Sequence, residues 1–162
     1  MYVALQVLAI MLAAITMALS LAHALEFPGK LRLDKEQYLA VQPIYYPGFT
    51  IGGFAEVAVI VAVLVLLILT PVGTTEFWLV GGALAALIIV QVIFWTKTQP
   101  VNSFWLEQTE LSGFAKGFFQ TGGGNTPRDW IAARDQWERS HILRAIAATT
   151  GLLLLSSRCA VI

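Results

Sequence analysis

At 162 residues, 57% hydrophobic and only 12% charged, the chain carries about half the charge of an ordinary globular domain. Its formal net charge is zero and its mean hydropathy is +0.74, which excludes a soluble fold; the scattered basic residues exclude a nucleic-acid surface. A single cysteine, Cys159, excludes an internal disulfide and any multi-cysteine metal site.

Four apolar runs, near residues 3–23, 50–70, 76–96 and 139–157, approach the roughly 20 residues that cross a bilayer. The first imitates a secretion signal, with Ala22-His23-Ala24 as a small-x-small site. No basic residue precedes it, so a retained span is expected. Along it Gln6, Ala9, Ala13, Thr16, Ser20 and His23 recur at alternating steps of three and four and so share one face. Small and hydroxyl-bearing residues suit a packing seam between membrane helices, with Leu and Ile left to lipid. The run stops at His23-Ala-Leu-Glu-Phe-Pro-Gly-Lys30, which sets His23 and Glu26 about one turn apart at the lip of the span. Ionisable groups at that depth mark candidate sites. The plainer reading is that they anchor a helix end at the interface.

Residues 24–49 hold Pro28, Gly29, Pro43, Pro47 and Gly48, which predicts an irregular, partly interfacial loop. Tyr38, Tyr45 and Tyr46 suit the headgroup level there. The second run opens with Gly52-Gly53 and carries Glu56 about one turn inside, where an unpaired carboxylate is expensive. Glu56 is therefore expected to meet His23, Gln91, His141 or Arg144, and a structural ion pair with Arg144 is the plainest outcome. Pro71-Val-Gly73 predicts a tight turn joining the second and third runs as a hairpin. The third ends in Gln91 and Trp95 on one face, followed by Lys97 and Thr98-Gln-Pro-Val-Asn102.

Residues 97–138 form the largest connection. Its first part, through Gly122-Gly-Gly124, is aromatic and glycine-rich, with Phe104, Trp105, Phe114, Phe118 and Phe119, and reads as a lid or membrane-lying segment. A helix then starts at Thr126, Pro127 and Asp129, a capping residue, a first-turn proline and an acid for the positive end. Arg134 with Glu138 and Asp135 with Arg139 are spaced as i,i+4 pairs. Trp130, Arg134, Trp137 and His141 again step by four and three, with Arg144 one turn deeper. Nine of the ten basic residues fall on one side and only Arg158 on the other, so both long connections are predicted cytoplasmic and both termini outside. The expected fold is all-α: one domain over 1–162, a four-helix transmembrane bundle with a helical extension before the fourth span, set in a bacterial inner membrane.

That topology gathers His23, Glu26, Glu56, Gln91, Trp95, Asn102, Trp137, His141 and Arg144 at one mouth. A polar ring over an apolar interior suits a lipophilic aromatic or quinone-like molecule arriving from the bilayer. The segments Ala22-His-Ala-Leu-Glu-Phe-Pro-Gly-Lys30, Gln99-Pro-Val-Asn102 and Trp137-Glu-Arg-Ser-His-Ile-Leu-Arg144 resemble the anthrone-oxygenase-like family of small four-helix membrane proteins, over most of the chain. The resemblance implies that fold, and oxidation of an anthrone to an anthraquinone by molecular oxygen without a bound cofactor. The stretch around Gly122 does not match the family pattern, which leaves the substrate entrance unassigned.

For such a reaction His141 or His23 is the expected base that forms a carbanion, with Arg144 or Asn102 steadying the phenolate. Glu56, Gln91, Trp95, Trp137 and Glu26 are expected to bind the substrate. Two further readings differ in class. In one, His23 and His141 hold a haem, or join Glu26 and Glu56 around one metal ion, although no Glu-x-x-His pair is present. In the other the chain is a non-enzymatic accessory or scaffold subunit of a larger membrane complex, docking on partner membrane subunits through the aromatic stretch 103–119, a reading that a lone homo-oligomer would count against. Transport fits less well, because no run is broken by Pro or Gly at mid-membrane.

Overall fold

A chain this apolar has to satisfy its peptide groups within its own segments, and helices do so locally. The structure, a computed structural model, describes residues 2–45, 47–106 and 129–158, with the backbone alone at 103–106. Every element among them is helical: α1 (Tyr2–Lys30), α2 (Lys35–Val41), a 3-10 turn (Gln42–Tyr45), α3 (Gly48–Ile68), α4 (Thr75–Ile93), a π-helical turn (Phe94–Thr98), α5 (Gln99–Leu106) and α6 (Trp130–Arg158). Three stretches are long and apolar enough to cross a membrane, namely Tyr2–Lys30, Gly48–Ile68 and Thr75–Asn102.

Helix α1 packs against α3 and α6, and α4 closes against the same two. Their shared core is Ala9 and Ala13 from α1, Val59, Val63 and Leu66 from α3, Val80, Ala83 and Leu87 from α4, and Leu155 from α6. The buried face of α1 is the stripe Gln6, Ala9, Ala13, Thr16, Ser20 and His23, with Lys30 added. Small residues set the helix spacing. A Cβ on Gly52 would run into Leu19 of α1, and one on Gly151 would lie 3.3 Å from Leu87 of α4. Outward faces are apolar: Val7 and Met11 on α1, Val57 and Val61 on α3, Ile88 and Val92 on α4 are all exposed. Helix α6 is turned the same way, exposing Leu143, Ile146 and Leu153 while burying Glu138, His141, Arg144 and Arg158.

The turn after α3 forms as expected, with Gly73 at φ +85° and Thr74 Oγ1 accepting from Phe77 N at 3.2 Å to cap α4. Residues 24–49, expected to be irregular, are instead mostly helical. Pro28 falls inside α1 near its end, where its missing N–H removes a single bond. Asp34 then starts α2: its Oδ1 accepts from Gln37 N at 2.9 Å, and Gln37 Oε1 accepts from Asp34 N at 3.3 Å, a reciprocal cap. Tyr38 and Tyr45 are both buried against protein, each phenol donating to a carboxylate, that of Glu138 for Tyr38 and that of Glu26 for Tyr45.

The third run does not stop near 96. Gln99 N donates to Phe94 O, a five-residue step that makes the π turn, and helix resumes as α5. Pro100, the second residue of α5, has no N–H to donate back along the helix, and the π turn lies directly before it. On α6, Arg134 turns to its neighbour Asp135 (Nη2 to Oδ1, 2.8 Å) and Glu138 turns inward, so the expected Arg134–Glu138 surface pair does not form. Tyr46, the side chains of the aromatic stretch 103–119, Gly122-Gly-Gly124, the Thr126-Pro127 helix start and Cys159 lie outside the described residues.

Candidate functional site

The ends of α1, α4 and α5 and the starts of α3 and α6 meet around a cavity of about 180 Å³. His23, Glu56, Gln91, Trp95, Asn102, Trp137, His141 and Arg144 all line it; of the residues expected at the mouth, Glu26 alone does not. Leu19, Phe49, Phe54, Val57 and Phe94 make the remaining wall largely apolar. Phe54, Val57 and Trp95 are also exposed on the outer surface, at 60%, 58% and 49%. The cavity therefore opens sideways, between α3 and the end of α4.

Its polar end is built around Glu56, about two turns into α3. Arg144 Nη2 donates to Glu56 Oε1, and Gln91 Nε2 donates to Oε2 at 2.8 Å. One donor on each oxygen is the pattern an ionised carboxylate requires. Arg144 Nη1 lies 3.3 Å from His141 Nδ1. A guanidinium has no acceptor, so Nδ1 accepts and the His141 proton is placed on Nε2, an atom that is buried with no other partner. The two histidines stack, with ring centroids 4.1 Å apart and planes tilted by 38°. Trp137 meets both edge-on, at 4.3 Å from His141 and 4.9 Å from His23, while Tyr45 and Phe49 close the other sides of His23 at 4.5 and 4.4 Å.

The π turn carries the fourth wall. It turns Thr98 to Ser140 at 2.9 Å; Ser140 Oγ donates to Trp137 O at 2.6 Å, so Thr98 donates to Ser140. Trp137 Nε1 donates to Asn102 Oδ1 at 2.9 Å, and Asn102 Nδ2 donates to Gln99 Oε1 at 3.1 Å. Asn102 thus holds Trp137 in place, and its carbonyl oxygen is already used. Among the described residues no group of three or more His, Cys, Asp or Glu side chains stands close enough to hold a metal ion.

Behind the histidines lies a second polar cluster that the sequence reading missed. Glu138, wholly buried, accepts from Tyr38 Oη at 2.7 Å. Lys30 Nζ sits 3.5 Å from Glu138 Oε1 and 3.0 Å from Glu26 Oε2, over the rings of Tyr45 and Trp137 at 4.8 Å each. Tyr45 Oη donates to Glu26 Oε2 at 2.6 Å. Burial, then the neighbouring Glu138 charge, holds the Tyr38 phenol well above its ordinary range; burial, then the bond to Glu26, does the same for Tyr45. Both phenols are therefore fixed donors at neutral pH. Lys30 could have been found, since it follows His23 by seven residues and continues the α1 stripe. Tyr38 and Glu138, a hundred positions apart, carried no signal of their meeting. No protein-family model, no curated protein and no solved structure matches the chain.

Proposed function

We propose that the chain is a four-helix membrane protein whose lateral cavity binds a lipophilic aromatic molecule of the anthrone or quinol type and oxidises it with molecular oxygen. The observation that carries this reading is the shape of the cavity: apolar walls, a sideways mouth between exposed Phe54 and Trp95, and a polar inner end of Glu56, Arg144, Gln91 and the two histidines. Helix α6 serves as the fourth span, with Ser140, His141 and Arg144 turned inward and Leu143, Ile146 and Leu153 outward. The long connections are cytoplasmic by the placement of basic residues.

The hydrogen bonds divide the labour between the histidines. His141 gives its Nδ1 lone pair to Arg144, so it offers an N–H donor and not a base. His23 Nδ1 faces Glu26 Oε2 at 3.9 Å, which favours the proton there and leaves Nε2 free to accept one. His23 takes a proton from the doubly activated methylene of the substrate, and His141 Nε2–H steadies the oxyanion that results. Arg144, neutralised by Glu56, fixes His141 rather than acting as a free cation. The carbanion reduces oxygen; one oxygen atom enters the ring as a carbonyl and the other leaves as water. A haem held between the histidines does not fit, because rings already in contact at 4.1 Å leave no room for a macrocycle.

The test is the protein in lipid nanodiscs supplied with anthrone under air, with protein-free nanodiscs as baseline. Quinone formation should match oxygen uptake one to one, and His23→Ala should lower kcat by roughly a hundredfold. A wild-type rate equal to the baseline sinks the proposal.

A further inference from the structure

Glu26 does not line the cavity, yet its carboxylate stands directly behind the wall. One oxygen, Oε2, gathers three groups: Tyr45 Oη at 2.6 Å, Lys30 Nζ at 3.0 Å and His23 Nδ1 at 3.9 Å. His23 and Tyr45 line the cavity, whereas the Glu26 side chain is 43% exposed. His23 Nδ1 is buried and has no hydrogen-bond partner. The other charged or titratable groups facing His23 are Lys30 on its own helix, Tyr45 from the 3-10 turn, and His141 and Arg144 from α6. None of these is an acid that also reaches water. Glu138, the other carboxylate on Lys30, is wholly buried.

We propose that Glu26 is the proton port of the cavity, passing a proton between bulk water and the buried His23 imidazole. At 3.9 Å the gap is too long for a hydrogen bond, but a small rotation of the carboxylate or one bridging water closes it. Lys30 and Tyr45 hold the carboxylate in place beside the ring. As the proton route of the proposed oxidation this rests on that reading: the substrate C–H breaks as His23 Nε2–H forms, Nδ1–H breaks as a carboxyl O–H forms on Glu26, and no electrons move in the step. Both methylene hydrogens end in water, so the displaced proton is recovered when oxygen is reduced. Glu26 is a positioning and relay residue and does not touch the substrate.

The chain has only two histidines, so histidine-specific ¹⁵N labelling gives two ring systems to resolve. Exchange of their N–H protons with water is measured in nanodiscs without substrate. His23 and His141 are equally buried, at 4% exposure each, so burial alone predicts equal rates. The port predicts that His23 exchanges at least about tenfold faster than His141, that Glu26→Gln removes most of this difference, and that Glu26→Asp restores part of it. Equal rates in the wild type overturn the port, as does a fast His23 signal untouched by Glu26→Gln. Because no substrate is present, fast His23 exchange beside a failed anthrone assay would remove the oxidation and leave the port.

Discussion

Removing the charge of Glu56 leaves Arg144, only 5% exposed, without its counter-ion and turns an amide N–H toward Gln91 or Arg144. Breaking one partner of a buried pair typically costs about 3–5 kcal/mol, whereas replacing both with matched neutral groups costs much less. Glu56→Gln should therefore lower the melting temperature in detergent markedly, and Glu56→Gln with Arg144→Met should recover a large part of the loss. A double variant no more stable than the single would show that the two groups are not coupled. The phenols give a second residue-level outcome. Tyr38 and Tyr45 titrate above their unfolded value of 10, so the folded state holds protons that the unfolded chain releases. Their contribution is complete below about pH 10 and is lost as pH rises further. Alkaline unfolding followed by tyrosinate absorbance should show these two phenols ionising with the unfolding transition, and Tyr38→Phe should flatten the alkaline limb.

Single glycines set how closely the helices approach. Gly52→Val should force α3 off Leu19 and destabilise by about 1–3 kcal/mol, while Gly53→Ala, with nothing within 4 Å, should be neutral or slightly stabilising. Melting the two variants side by side checks this, and equal losses would place the contact elsewhere. The same scale explains what could be read beforehand. Long apolar runs announce themselves by composition, and the α1 stripe by its period, because both are averaged over many residues. The start of α2 is set by one reciprocal cap at Asp34, and the continuation of the third run beyond 96 by one five-residue step at Gln99, and averaging hides such single events. The cavity was legible because antiparallel neighbours must bring His23, Glu56, Gln91 and His141 to one level. Glu26 was misplaced for a helical reason: three residues after His23 it lies about 60° off the stripe, whereas Lys30, seven on, lies within about 20°. Tyr45 and Thr98 were not placed at the cavity because a 3-10 turn and a π turn aim them, and neither element has a pattern to read.

Across the whole molecule, the proposed orientation makes a direct claim. A cysteine replacing Lys35 should be labelled from the cytoplasmic side and one replacing Glu76 from the opposite side; labelling of both from one face would require redrawing the spans. The sideways mouth has a consequence for how any ligand is counted. In the proposed membrane orientation, a molecule that reaches the cavity between Phe54 and Trp95 comes from the acyl layer, where its abundance is set by partitioning. Adding empty lipid at constant total ligand then dilutes it in two dimensions while the concentration per litre barely changes. Half-saturation should accordingly follow moles of ligand per mole of lipid, and occupancy should fall as lipid is added.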